Sequence, residues 1–183
     1  MSDETIKPSK KRVNSKGKGN GAERAICKLL ADALAPFKFI RSPGSGSYVG
    51  GKNFEANAHL YSQEAMAMFV SDVVCSNERE VGKTFRFVVE SKAYKDAEKL
   101  EVLLNGKSSV YGWFDEVRID AAKIHKEPLL VFKWNNTPHY AAFEPTVILP
   151  AGLNILTLPT GLQVTHLKPL LEYKSFWELV TPR

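Results

Sequence analysis

Apolar positions along the chain switch between helical and extended spacing, and these switches outline the elements of the fold. Between residues 22 and 34, apolar side chains recur every three or four positions, which predicts a helix that ends at Pro36. Asn20, in a glycine-rich stretch before this helix, is the expected N-cap. Residues 37–41, 67–75 and 84–92 have the pattern of strands, and the last two are expected to form an antiparallel hairpin.

The second half of the chain continues this alternation. Apolar residues from Val110 to Ile124 recur at helical spacing and predict an amphipathic helix. Residues 129–133, introduced by Pro128, form an apolar run typical of a buried strand. Weaker patterns predict a short helix within residues 52–67, a short helix and a loop at 93–108, a strand at 139–143, further strands and turns at 146–167 and a closing helix at 168–180. This order predicts an α/β domain with a central mixed sheet flanked by helices.

The charge of the chain is concentrated at its N-terminus. The chain has 183 residues, 44% of them apolar, which suits one domain with a core of useful size. Residues 1–19 are expected to be a disordered basic arm, and residues 20–183 a single domain. Four of the five net positive charges lie within residues 1–18. Such an arm is typical of proteins that hold a phosphate backbone, although a solvated tail would have the same composition.

Several classes of protein are excluded by composition. The chain has no run of about 18 or more apolar residues, so no transmembrane helix is expected. Its basic, polar N-terminus does not resemble a secretory signal. Cys27 and Cys75 lie in predicted buried segments and indicate reduced thiols in a cytoplasmic protein. The histidines are scattered, which argues against a histidine-based metal site.

The strongest chemical signal lies at the end of the strand predicted at residues 84–92. Glu90 and Lys92 are two residues apart, so their side chains project from the same face of that strand. The same Glu-x-Lys sequence recurs at Glu172 and Lys174, and these two residues are expected to lie on a solvent-exposed face of a helix. Glu90 and Lys92 differ because they end an apolar strand, where polar side chains are costly unless they are paired or metal-bound.

A second carboxylate accompanies Glu90. Asp72 interrupts the apolar segment 67–75, and in a hairpin it reaches a position beside Glu90. Two adjacent carboxylates repel each other unless a cation lies between them, and oxygen ligands favour Mg²⁺ or Mn²⁺. A metal-bound water could then attack a phosphate, with Lys92 stabilising the developing charge. The alternative is a buried ion pair between Glu90 and Lys92, with Asp72 in a turn.

The order of several motifs resembles the PD-(D/E)XK nuclease superfamily. Residues 21–24 (Gly-Ala-Glu-Arg) open a helix, and residues 39–46 (Phe-Ile-Arg-Ser-Pro-Gly-Ser-Gly) follow. Asp72 then precedes Glu90 and Lys92, and an amphipathic helix leads to residues 128–133 (Pro-Leu-Leu-Val-Phe-Lys). Over roughly residues 20–134, the chain looks most like the archaeal-type Holliday junction resolvases and their phage-encoded relatives. Residues 135–183 lie beyond the resemblance as an extension.

The resemblance implies a restriction-endonuclease-like core and a Mg²⁺-dependent homodimer, with Mn²⁺ as a possible substitute, that cuts branched DNA. Taken alone, Glu23 is expected to be an exposed glutamate in the first helical turn, where the helix dipole favours a negative charge. By motif, it joins Asp72, Glu90 and the backbone carbonyl of Ser91 at the metal site, and Lys92 is the catalytic lysine. The expected DNA contacts are Lys16, Lys18, Arg24, Arg41, Ser45 and Lys133.

Departures from the family pattern concern the substrate more than the chemistry. Ser71 stands where the family often has proline, and about 25 residues separate Gly46 from Asp72. A restriction-type or general phage DNA nuclease with the same core therefore stays open as an alternative, as does a non-catalytic DNA-binding module. An RNA-binding scaffold is disfavoured because no aromatic-rich RNA motif is present. Trp113 and Phe114 fit core or dimer contacts better than base stacking.

Overall fold

The computed structural model describes residues 15–42 and 63–179, and within them seven strands form one mixed sheet in the order β1-β2-β3-β4-β5-β7-β6. The strands are β1 (Phe39–Arg41), β2 (Val73–Cys75), β3 (Phe87–Tyr94), β4 (Glu127–Trp134), β5 (Tyr140–Phe143), β6 (Ile155–Thr157) and β7 (Gln163–His166). The helices are α1 (Ser15–Ala33), α2 (Gln63–Val70), α3 (Glu78–Val81), α4 (Leu100–Leu104), α5 (Ser109–Lys123) and α6 (Leu167–Leu170), and a 3-10 turn follows at Lys174–Trp177.

The two longest strands, β3 and β4, lie side by side and run parallel, whereas the other neighbouring pairs in the described sheet are antiparallel. Parallel neighbours require a crossover connection, and here α4 and α5 supply it. The register pairs Phe87 with Glu127 and Tyr94 with Trp134. The C-terminal ends of both long strands therefore meet at the same edge of the sheet.

The sheet buries apolar side chains on both faces, because successive residues of a strand point to opposite sides. On one face, Phe87 and Val89 of β3 pack with α1 in a large core cluster. On the other face, Val88 packs with Val110 and Phe114 of α5. Residues that follow Val88 at two-residue intervals therefore lie on the α5 face.

Several sequence predictions are confirmed. The amphipathic helix is α5, and the strands predicted at residues 129–133 and 139–143 are β4 and β5. The predicted hairpin is the antiparallel pair β2–β3, in which Val73 lies opposite Val89. The short helix expected within residues 93–108 is α4. Helices on both faces of a mixed sheet confirm the predicted α/β class.

The first helix begins earlier than its apolar spacing predicts. α1 starts at Ser15, so the predicted start at Ala22 with Asn20 as the N-cap is wrong, and residues 15–19 are helical rather than part of a disordered arm. Residues 15–21 contain three glycines and no apolar side chain, so periodicity gives no signal there. The rest of the predicted arm, residues 1–14, lies outside the described residues.

The segment before Asp72 is helical where a strand was predicted. α2 covers Gln63–Val70, and β2 begins only at Val73, so the strand predicted at residues 67–75 is wrong except for its last three residues. Alanine and methionine favour helix, and the Ala-Met-Ala-Met run at residues 65–68 extends the helix predicted nearby. Asp72 therefore lies at the entry to β2 rather than inside a long strand.

The closing helix predicted at residues 168–180 is also wrong. α6 ends at Leu170, and after a turn a 3-10 segment brings Phe176 and Trp177 into the core. The residues between, 172–175, are all exposed. Four consecutive exposed residues exceed one helical turn, so a regular helix packed on the core could not accommodate them.

The residues that the structure describes contain no helix that is both long enough and apolar enough to cross a membrane.

The C-terminal segment and α1 share one core. Trp177 is fully buried, and its ring stacks on Phe85 with the ring centroids 6.2 Å apart. Ile26 and Leu30 of α1 belong to the same cluster. We infer that the residues after 134 fold together with the preceding core as the single domain predicted from the sequence.

Replacing Trp177 with alanine should lower the free energy of unfolding by about 3–5 kcal/mol, because the truncation leaves a cavity in this core. Leu179→Ala, at a position that is 39% exposed, should change it by about 0.5 kcal/mol or less. Urea unfolding followed by circular dichroism measures both values. Two separate transitions in the wild type, or an unchanged midpoint in Trp177→Ala, would contradict a shared core.

Candidate active site

Glu90 and Lys92 project together from the α5 face of β3, as their spacing predicts. The Nζ atom of Lys92 lies 2.9 Å from Oε1 of Glu90 and 3.0 Å from Oε2 of Glu116, which belongs to α5. The side chain of Glu90 is only 16% exposed, whereas that of Glu116 is 63% exposed. Lys92 thus joins a nearly buried carboxylate of the sheet to an open one on the helix.

Asp72 is the second acid at this position, and the backbone holds it there. It is buried directly before β2, its N–H donates to the carbonyl of Val89 at 3.1 Å, and its own carbonyl accepts the N–H of Ser42 at 2.9 Å. Its Oδ2 atom accepts a hydrogen bond from the N–H of Ser91 at 3.0 Å. The carboxylate of Asp72 is therefore fixed against β3 at Ser91, the neighbour of Glu90 in the chain.

Ser71, which replaces the proline often found in the family, helps to fix this junction. Its Oγ atom lies 2.8 Å from the carbonyl oxygen of Val89 and accepts the N–H of Val89 at 3.1 Å. A proline at position 71 could make neither bond. The serine therefore replaces the rigidity of a proline ring with hydrogen bonds to the strand that carries Glu90.

The proximity of the two carboxyl groups changes the acidity of Glu90. Burial, together with the negative charge of Asp72, raises the pKa of Glu90 from its ordinary value of 4.5 to about 8, although the ammonium of Lys92 opposes the rise. The two side chains therefore lie close enough for the charge of Asp72 to act on Glu90. Two carboxyl groups this close repel each other, and a cation between them would relieve that repulsion.

This donor set fits a hard divalent cation. Asp72 and Glu90 supply carboxylate oxygens, and the carbonyl of Ser91 lies on the same strand between Glu90 and Lys92. Over residues 15–42 and 63–179, the structure gathers no group of three His, Cys, Asp or Glu side chains that could hold a metal. A bound ion would therefore depend on this carboxyl pair, with backbone oxygen and water as further ligands.

Glu23 and Arg41 form an ion pair with each other on the α1 side of the sheet, where Nε of Arg41 donates to Oε2 of Glu23. Cys27 lies one turn further along α1. Burial raises the pKa of the Cys27 thiol to about 11, with smaller effects from the charges of Glu23, Arg41 and Asp72. Arg41 lies opposite Val73 in the register, one residue from Asp72, but among the described residues Glu23 forms no three-member acid group with Asp72 and Glu90.

The remaining expected DNA contacts are dispersed. Lys16 and Lys18 lie on α1, but their side chains lie outside the described residues, as does Ser45 altogether. Arg24 is exposed on α1, beside Glu23. Lys133 is partly buried near the end of β4, opposite Ala93 in the register. None of these positions tests the predicted contact with DNA.

Glu116 is a site residue that the sequence reasoning missed. It contacts Lys92 from the crossover helix, 24 positions along the chain, so spacing within the strand gives no hint of it. A weak signal exists: Glu116 directly precedes Val117 of the apolar stripe of α5, and the crossover packs this helix on β3. A polar residue beside such a stripe faces the edge of the strand that it covers.

The raised pKa of Glu90 predicts how stability depends on pH in the metal-free protein. Between pH 4.5 and about 8, the folded protein retains a proton that the unfolded chain has released, so the contribution of Glu90 to stability falls as pH rises through this window. The variant Glu90→Gln has no titrating group at this position, so it does not lose stability in this way as pH rises. Its free energy of unfolding should therefore rise relative to the wild type between pH 5 and pH 8.

Urea titrations in EDTA at pH 5, 6.5 and 8 measure the difference, with Glu172→Gln as a control at an exposed glutamate. A constant difference between Glu90→Gln and the wild type across this range would contradict the pKa shift.

Comparison with known proteins identifies the family of this chain. Residues 14–154 match the family model described as "Phage putative PDDEXK endonuclease". Among solved structures, Hjc of Archaeoglobus fulgidus, a Holliday junction resolvase from an archaeal hyperthermophile, is similar over 88% of this chain and 90% of its own, with 15% sequence identity and a TM-score of 0.38. No curated protein matches the sequence significantly. Because the family model spans most of the chain, including Glu23, Asp72, Glu90 and Lys92, the chain belongs to the phage PD-(D/E)XK endonuclease family.

Proposed function

We propose that this nuclease is a Mg²⁺-dependent, structure-selective DNA endonuclease whose active site is built on Asp72, Glu90 and Lys92. The observation that carries the proposal is the buried carboxyl pair of Asp72 and Glu90, with the ammonium of Lys92 attached to it. An ordinary buried ion pair would need only one carboxylate for Lys92. A second carboxyl group close to the first adds negative charge that a cation would neutralise.

Asp72, Glu90 and the carbonyl of Ser91 would hold Mg²⁺, or Mn²⁺ in its place. When bound, the ion polarises a phosphate oxygen and lowers the pKa of a bound water. The N–H of Ser91 keeps the carboxylate of Asp72 oriented toward β3. Ser71 holds the start of β2 against the same strand.

Lys92 acts as a cation rather than as a base. Burial alone lowers the pKa of its ammonium, but the carboxylates of Glu90 and Glu116 outweigh burial and raise the pKa above its ordinary value. Lys92 therefore stays protonated at neutral pH. A fixed ammonium beside the reacting phosphate stabilises the negative charge that develops there.

Glu23 and Arg41 have proposed roles that require their ion pair to open. Arg41 would bind a DNA phosphate, for which a planar guanidinium is well suited. Glu23 would then be free to support the metal site. Both partners are partly shielded, at 13% and 30% side-chain exposure, and Arg41 lies opposite Val73, the residue that follows Asp72.

The specific form of the proposal is resolution of four-way DNA junctions by a homodimer acting in the cytoplasm. It is supported by the order of motifs along the sequence, which resembles that of archaeal-type resolvases. Resolution needs two paired cuts, and a two-fold symmetric dimer supplies them. The basic residues Lys16, Lys18, Arg24 and Lys133 would contact the phosphate backbone, with Ser45 near the cleaved bond.

A phage DNA endonuclease that also cuts linear duplex is the second candidate. The description of the matching family favours it, because that description specifies an endonuclease and no branched substrate.

Cleavage of a labelled four-way junction beside linear duplex of the same sequence tests the proposal. With Mg²⁺, the wild type should make paired, symmetric nicks in the junction, and EDTA should abolish them. Asp72→Asn and Glu90→Gln should lose cleavage in Mg²⁺ and in Mn²⁺. Lys92→Ala should slow cleavage by about 10²- to 10³-fold, because it removes a charge that stabilises the transition state.

The second Glu-x-Lys sequence provides a matched control, since Glu172→Gln and Lys174→Ala change exposed residues of the same types. Both variants should cleave as the wild type does. Equal cutting of junction and duplex would keep the nuclease and remove the junction specificity. DNA binding without cleavage in either metal would instead indicate a non-catalytic binding module.

A further inference from the structure

A pair of stacked aromatic rings lies at the surface beside the candidate active site. Tyr94 ends β3 and Trp113 belongs to α5, and their rings stack with centroids 4.5 Å apart and planes 18° apart. Trp113 packs inward against Phe132 of the core. Half of Tyr94 is exposed. One side of the tyrosine ring is therefore covered by Trp113, and the other is available to a further flat ring.

The position of this pair relative to the site is fixed by the strand. Tyr94 follows Lys92 by two residues, so both side chains project from the α5 face of β3. Two residues of a strand span about 6.6 Å. This is close to two steps of stacked DNA, at about 3.4 Å per nucleotide along one strand. A DNA strand with its phosphate at Lys92 would thus bring a nearby base to the ring of Tyr94.

We propose that Tyr94, supported by Trp113, stacks on an unpaired nucleobase of the strand being cut, an inference that rests on the proposed DNA endonuclease function. Aromatic side chains stack on bases largely without regard to sequence, because every base has a flat π-face. In continuous duplex, neighbouring bases already cover those faces. The pair therefore selects DNA with unpaired nucleotides next to the cut.

The charges around the pair suit a DNA strand. Lys92 lies on the same face of β3, and the exposed Lys95 follows Tyr94 directly. A strand that places one base on Tyr94 would pass a neighbouring phosphate close to Lys92. The aromatic ring and this ammonium group together form a recognition surface for single-stranded DNA that continues from the active site.

Binding measured in EDTA, where the metal-dependent reaction cannot proceed, tests the inference separately from catalysis. The probes are a fluorescently labelled 12-nucleotide single strand and a blunt hairpin duplex of the same sequence, followed by fluorescence anisotropy. Tyr94→Ala should weaken binding of the single strand by about 5- to 150-fold, the range reported for loss of one stacked base. The affinity of Tyr94→Ala for the hairpin should stay within about twofold of the wild type. The bases of the hairpin stem are paired and stacked on one another, so they offer no face to Tyr94.

Two further variants separate stacking from simple apolar contact. Tyr94→Phe keeps the ring and should bind the single strand as the wild type does. Tyr94→Leu still covers Trp113 but lacks a π-face, so it should lose affinity as Tyr94→Ala does. Circular dichroism and thermal melting establish that each variant is folded.

Three results would overturn the inference. Equal weakening for single strand and hairpin would make Tyr94 a general contact, and unchanged binding by Tyr94→Leu would make it an apolar cover. A shift from dimer to monomer in the sedimentation of Tyr94→Ala would make the pair a subunit contact. If the wild type cleaves DNA in Mg²⁺ while one of these results holds, the nuclease proposal stands. If the wild type does not bind the single strand, the stacking inference fails, and the cleavage assay alone decides the nuclease proposal.

Discussion

The candidate site depends on the close junction between the start of β2 and the middle of β3. Asp72 is held there by its own N–H on Val89, and Ser71 binds the same residue through its hydroxyl. These bonds bring a buried carboxyl group against Glu90 in spite of the repulsion between two acids. Without them, the negative charges would separate, and Lys92 would be left in an ordinary ion pair.

Much of this arrangement could be predicted from the sequence, because it depends on short spacings. The two-residue interval between Glu90 and Lys92 fixes a common face on any strand, and the structure shows both on the α5 face. The proximity of Asp72 to Glu90 was predicted from an antiparallel hairpin, and the structure contains this hairpin as the pair β2–β3. Local periodicity also sufficed for α5, since its stripe is regular over the whole helix.

The features that could not be predicted depend on residues far apart or on segments without apolar periodicity. The bond from Lys92 to Glu116 forms only because the crossover helix packs on β3, and no local pattern encodes it. Glu23 and Arg41 likewise meet because α1 crosses β1. The polar first turns of α1 carry glycines and no apolar residue, so tertiary structure rather than sequence pattern reveals that they are helical.

The crossover helix α5 carries Trp113 and Glu116 less than one turn apart, and it touches β3 through both of them. Each added residue rotates the rest of a helix by about 100°. An insertion or deletion just before Trp113 would thus move the support of Tyr94 and the partner of Lys92 in one step. The exposed residues 95–97 between β3 and α4 carry no such constraint. Length variation among relatives of this chain should therefore collect before α4 and be rare within the first turns of α5.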